Sequence, residues 1–256
     1  MQQIIQEKIR EIEKQEQVKI IYAIESGSRA WGFASPDSDY DVRFIYVRRP
    51  DFYLKLEKTR DVIEWQLDET LDINGWDLQK ALRLLKASNP TLFEWANSPI
   101  VYGYTEEWND LKPVLNHYFS PRAGFHHYLN TAINNYRACL KGDMVRLKKY
   151  FYVIRPLLAC KWILDKNSPP PVLFHTLAEA ELEPELKPVI DELLDMKINS
   201  PEVKLCPRID ILNQYIDRNL KELPDKIHSL PRETPAGYNE LNRMFLSIIN
   251  SIVQTS

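Results

Sequence analysis

Ile4, Ile5, Ile9 and Ile12 recur at three-to-four spacing among Gln, Glu, Lys and Arg, a pattern that predicts an amphipathic helix over residues 2–16. Val18 to Ile24 then forms a continuous apolar, β-branched run, the pattern of a strand buried on both faces, and it ends at Ser26-Gly27-Ser28. Beyond a loop carrying Ser35-Pro36-Asp37-Ser38, alternating residues from Asp39 to Val47 predict a second strand. Residues 61–66 and 70–76 read as a hairpin around Leu67-Asp68-Glu69. Helices are expected at about 77–87 and, with Asn89 as cap and Pro90 as first helical residue, at about 90–97.

From Thr105 onward helical periodicity takes over, through segments near 106–118, 121–140 and 143–166, with a kink or break expected at Pro156. Ser168-Pro169-Pro170-Pro171 reads as a linker. The last helix carries Leu241, Met244, Phe245, Ile248, Ile249 and Ile252 in one stripe, which reads as core or subunit interface. The outline is an α+β chain, with a mixed-sheet domain over residues 1–104 and an all-helical domain over 105–256 that closes a cleft on the first.

Composition narrows the chemistry. The chain has 256 residues, 44% hydrophobic and 27% charged, with a net charge of -3, so it is globular and any polyanion site has to be a local patch. With only 7 Gly, it has neither a G-x-G-x-x-G turn nor a GxxxxGK[ST] loop. Cys139, Cys160 and Cys206 are an odd set too widely spaced for zinc knuckles, and read as reduced, buried thiols. His117, His126 and His127 lack a carboxylate at zinc-ligand spacing. The most apolar segment, 151–164, is too short to span a bilayer, and the N-terminus has no signal-peptide run, so a cytoplasmic protein is expected.

The informative stretch runs from Glu25 to Arg43. Gly27-Ser28 falls where a buried strand ends and the chain turns into a short helix near Arg29, a place where phosphate approaches backbone N–H groups closely. Asp39 and Asp41 are two residues apart on a strand, so both carboxylates point to one face and form half of a site for Mg²⁺. Two-metal phosphoryl transfer asks for a further carboxylate. Asp72, flanked by Leu71 and Ile73 on the hairpin, is the candidate, with Glu64 on the partner strand in reserve and Asp77 read as a helix cap.

Several neighbours admit two readings. Arg43, on the same face as Asp39 and Asp41, either touches phosphate or salt-bridges its neighbours, and Arg29 is expected at phosphate. Trp31 and Phe33 either border a base or anchor the turn to the core. Lys148, Tyr152 and Arg155 share a helix face near Lys149 and Lys161, either steering a triphosphate or RNA strand or forming a solvated face.

Gly-Ser, ten intervening residues and then Asp-x-Asp resembles the signature of the DNA polymerase β-like nucleotidyltransferase superfamily. The strings GSRAWGFASPDSDYDVR, DINGWDLQKALRLL and KKYFYVIRPLLACKWIL resemble its RNA-ligase-associated branch, over most of residues 20–165. The resemblance implies a palm-like fold in which Gly27 and Ser28 hold nucleotide phosphates while Asp39, Asp41 and Asp72 bind two Mg²⁺ ions. It implies transfer of a nucleoside monophosphate from a nucleoside triphosphate to an acceptor, with release of pyrophosphate. An RNA end, as in RNA repair, is the favoured acceptor; a small molecule or a protein side chain is the alternative. A different alternative keeps the fold without catalysis, as an RNA-binding or partner-neutralising module.

Overall fold

The structure, a computed structural model, describes residues 1–66, 70–232 and 236–254; the turn expected at Leu67-Asp68-Glu69 lies outside the described residues. Along the chain run α1 (Gln2–Glu16), β1 (Lys19–Glu25), α2 (Gly27–Ala30), β2 (Tyr40–Val47), α3 (Pro50–Tyr53), β3 (Val62–Gln66), β4 (Leu71–Asp77), α4 (Leu78–Lys86), α5 (Pro90–Ala96) and β5 (Val101–Tyr104). They are followed by α6 (Glu106–Leu115), α7 (Pro121–Cys139), β6 (Met144–Arg146), α8 (Lys148–Lys166), α9 (Phe174–Glu181), α10 (Lys187–Ile198), β7 (Leu205–Pro207), α11 (Asp210–Lys226) and α12 (Asn239–Gln254). The fold is α+β, and none of the described helices is long and apolar enough to cross a membrane.

These elements form two compact units that interleave along the chain. One gathers Met1–Gly27, Asp39–Tyr118 and the C-terminal helix; the other gathers Ser28–Ser38 and the chain from Phe119 up to the approach to that helix. Compactness thus divides the chain differently from a single boundary at 104/105.

In the first unit a mixed sheet takes the order β3-β4-β2-β1-β5. β2 and β4 are parallel, and the other neighbours are antiparallel. Period-two alternation sends Val42, Phe44, Leu71 and Ile73 to one face, where they join Ile5 and Ile12 of α1 in a closed apolar cluster. Asp77 and Asn89 act as N-caps, accepting the backbone N–H of Gln79 (2.8 Å) and of Thr91 (3.0 Å), so α4 and α5 start where their sequence signals put them. The stripe of α12 is core of this unit: Leu241, Ile248, Ile249 and Ile252 are buried, and Phe245 meets the Tyr53 ring edge-on at 5.1 Å.

The second unit packs α7 to α11 around a core that includes Phe125, Phe151, Leu157, Phe174 and Ile216. Phe33 belongs to this core, fully buried, and Trp31 packs on its margin, so both anchor their loop. Three expectations are corrected here. The helix expected from 143 starts at Lys148, because Met144–Arg146 pairs antiparallel with Leu205–Pro207, a partner too distant in sequence to show as a pattern. α8 runs unbroken through Pro156, where burial of Phe151 to Cys160 on nearly every side offsets the lost backbone hydrogen bond. The proline run links α8 to α9 inside one unit and is packed, with Pro170 and Val172 buried. Of the free thiols Cys160 and Cys206 are buried, and Cys139 is only half-buried because it ends α7 near the surface.

Candidate active site

Pairing of β1 with β2 sets the geometry. Glu25 lies opposite Val42, and the Ser26 N–H donates to the Asp41 carbonyl at 2.8 Å, which brings the turn at Gly27 beside Asp41. Gly27 has φ +61°, and a Cβ built on it would stand 2.1 Å from Asp41 Oδ2. Only glycine both takes that conformation without strain and leaves room for the carboxylate. The glycine of the motif is therefore dictated by the aspartate of the motif.

Parallel pairing of β2 with β4 does the rest. Asp41 is in register with Asp72, and two parallel neighbours in register present their side chains on the same face. Arg43, two residues on, donates from Nη2 to Asp41 Oδ1 at 2.9 Å and to Asp72 Oδ2 at 2.7 Å. Its Nη1 donates to the carbonyls of Val42 (3.0 Å) and Asp72 (3.1 Å). Of the two readings open for Arg43, the structure realises the salt bridge. Asp39 lies one residue before β2 and is exposed. Glu64, on the outer strand, is also exposed and pairs with Arg60 at 3.3 Å.

A residue missed in the sequence supports the pair from behind. Glu25 is fully buried; its Oε1 accepts the Asp41 N–H at 2.8 Å and its Oε2 accepts the Tyr102 hydroxyl. The signal available was a lone carboxylate closing an otherwise apolar strand, which a buried setting tolerates only with partners. Asp77, at the other end of β4, is a cap whose pKa burial pushes up to about 6.

The remaining candidates lie in the helical unit. Ser28 is buried, and its carbonyl accepts the Phe33 N–H at 3.1 Å. Arg29 donates to the Ser38 carbonyl at 2.6 Å and so closes its own loop. Lys148 pairs with Glu202, which also accepts from the Ser38 hydroxyl at 2.8 Å. Tyr152 meets Trp31 edge-on, at 5.6 Å between ring centroids. Arg155 is 4% exposed, stacks over Trp31 at 4.6 Å and donates to the Val172 carbonyl. The helix face read as a basic stripe is thus largely covered, and its cations are engaged within the unit.

Among the described residues no cluster of three or more His, Cys, Asp or Glu is arranged to hold a metal. The carboxylates that converge are Asp41 and Asp72, and both offer hard oxygen donors suited to a divalent cation. The one nitrogen they share demonstrates that positive charge fits between them.

Comparison with known proteins adds three findings. A model of the RNA repair pathway DNA polymerase beta family (RlaP) matches residues 1–247. The chain is 44% identical over 255 residues to the uncharacterized protein YcgL of Bacillus subtilis (strain 168), an alignment covering 98% of each. It is similar to the crystal structure of a nucleotidyltransferase-like protein from Exiguobacterium sibiricum 255-15 at 17% identity and a TM-score of 0.33, over 88% of this chain and 75% of that one.

Proposed function

Because the chain belongs to the RNA repair pathway DNA polymerase beta family, we propose that it is a Mg²⁺-dependent nucleotidyltransferase that moves a nucleoside monophosphate from a nucleoside triphosphate to an RNA end. The observation that carries the reading is the alignment of Asp41 with Asp72 on parallel strands, beside a turn where only glycine leaves room for the Asp41 carboxylate. In the reaction the acceptor oxygen attacks the α-phosphorus, the bond to the β-phosphate oxygen breaks, and pyrophosphate leaves. Such a transfer asks the protein for positioning and charge neutralisation more than for covalent chemistry.

Asp39, Asp41 and Asp72 are the residues that would hold two Mg²⁺ ions. When bound, the ions neutralise phosphate charge and make the acceptor hydroxyl more acidic. Gly27 and Ser28 seat the phosphates through the backbone N–H groups of their turn. Asp72, half-exposed beside Asp41, takes up the acceptor's proton. Glu25 and Tyr102 keep Asp41 in place through its backbone, so its carboxylate meets substrate already oriented. The RNA acceptor rests on the family's description. Three free thiols accord with action in the cytoplasm.

The test is incubation with Mg²⁺, labelled nucleoside triphosphates and separate pools of RNA, protein and metabolites. Label is expected in the RNA pool, with stoichiometric pyrophosphate, and is expected to vanish in Asp41→Asn. Transfer to no pool, with no pyrophosphate released, overturns the reading; transfer to protein or metabolites alone overturns only the acceptor.

A further inference from the structure

Four N–H donors of Arg43 are committed inside the sheet unit, two from Nη2 to the carboxylates of Asp41 and Asp72 and two from Nη1 to main-chain carbonyls. A guanidinium carries five donors in a rigid fork, so an arginine bonded in this way is turned toward the carboxylates rather than offered to a phosphate. Its side chain is 17% exposed, against 49% for Asp72. The cation therefore lies below the pair, on the sheet, while the acidic side faces outward.

Two carboxylates forced side by side by strand register repel each other, and the repulsion has to be offset in the free protein. Arg43 offsets it with charge-assisted hydrogen bonds, the strongest class that side chains make. A divalent cation that takes Asp41 Oδ1 and Asp72 Oδ2 has to displace those bonds.

We propose that Arg43 is an internal counter-ion that occupies the Asp41–Asp72 pair in the free protein and competes with divalent metal for it. The inference rests on the reading above, in which the pair is a metal site. Arg43 thereby suppresses metal binding until a triphosphate, which brings its own negative charge, shifts the balance. The residue acts through the carboxylates, as a gate on the metal.

The experiment is Mn²⁺ binding to the full chain without nucleotide, followed by the electron paramagnetic resonance of free Mn²⁺. Arg43→Gln is expected to bind Mn²⁺ on the order of tenfold more tightly than the natural protein, equivalent to about 1.4 kcal/mol. Arg43→Lys keeps a cation beside the pair and is expected to stay within about threefold of the natural protein, well short of that tenfold gain. A second measurement needs no variant at this position. The Arg43 guanidinium resonances of ¹⁵N-labelled protein are expected to move on titration with Mg²⁺, as the ion pairs open.

Folded Arg43→Gln with unchanged or weaker Mn²⁺ affinity overturns the proposal, as do guanidinium resonances unmoved by saturating Mg²⁺. In that result the double variant Asp41→Asn/Asp72→Asn still abolishes Mn²⁺ binding, and the metal site stands without its gate. Binding that survives the double variant overturns the metal site itself and the proposal with it.

Discussion

The buried carboxylate of Glu25 accepts the backbone N–H of Asp41 at 2.8 Å, so one acid of the site is held by another that never meets solvent. The part-exposed acid carries the carboxylate that Arg43 pairs with, while the hidden one fixes where it stands. Tyr102, on the edge strand β5, holds the second oxygen of Glu25 and ties three strands to a single position.

Glu25→Ala removes the acceptor of both the Asp41 N–H and the Tyr102 hydroxyl, and is expected to lower stability by about 2–4 kcal/mol in urea unfolding. Glu25→Gln keeps an oxygen for Asp41 and is expected to recover more than half of that loss. Equal losses in the two variants would show that the hydrogen bond to Asp41 is not what Glu25 provides.

Gly27→Ala places a methyl group 2.1 Å from the present position of Asp41 Oδ2, at a backbone φ of +61°. The strain costs about 1–2 kcal/mol, and the carboxylate has to swing away. Nucleotidyl transfer is expected to fall by about a hundredfold or more while circular dichroism stays native. A variant with near-natural turnover would separate the glycine from the chemistry.

Asp77 carries a pKa raised by burial to about 6 from an ordinary value of 3.8. The folded state thus binds a proton more tightly than the unfolded chain does. The associated stabilisation is complete below pH 3.8 and is lost as pH rises through 6. On the order of 2–3 kcal/mol is at stake. Asp77→Asn, which still caps α4, is expected to flatten the fall in stability between pH 4 and pH 7, and denaturation across that window reads it directly.

Glu202 serves two lysines in the helical unit, pairing with Lys148 and lying 3.8 Å from the buried Lys197, whose ammonium also donates to Ser35 at 2.7 Å. Removing Glu202 leaves two cations without their shared partner, so Glu202→Gln is expected to cost about 3–5 kcal/mol. Lys197→Met leaves Glu202 still paired and is expected to cost less than half as much. A reversed order in chemical denaturation would refute this account of the network.

What the chain reveals before folding follows the range of each signal. α1, β1 and the capped starts of α4 and α5 declare themselves through periodicity and through Asn89-Pro90, because those forces act within a turn or two. Gly27, Asp41 and Asp72 are legible as candidates, whereas the convergence of Asp41 and Asp72 depends on the parallel register of β2 with β4, which no local pattern announces. β5, β6 and β7 are short, and their reason for being strands is a partner far away in sequence. Arg155 lies at the spacing of a wet cationic stripe, yet Trp31 and Val172, brought in from elsewhere, cover it. Glu25 escaped notice for the same reason, since its partner Tyr102 is supplied by an edge strand that no local pattern announced.

The segment Ser28–Ser38 leaves the sheet unit at Gly27 and rejoins it at Asp39, while its Phe33 is enclosed by Phe151 at 5.0 Å and Phe174 at 5.7 Å. No single cut in the gene therefore frees either body intact. A fragment ending at residue 118 would keep the whole signature motif yet expose the aromatic ring that anchors its middle. Heredity and engineering alike have to carry the two bodies together, because the loop between Gly27 and Asp39 belongs to one body and its two ends to the other.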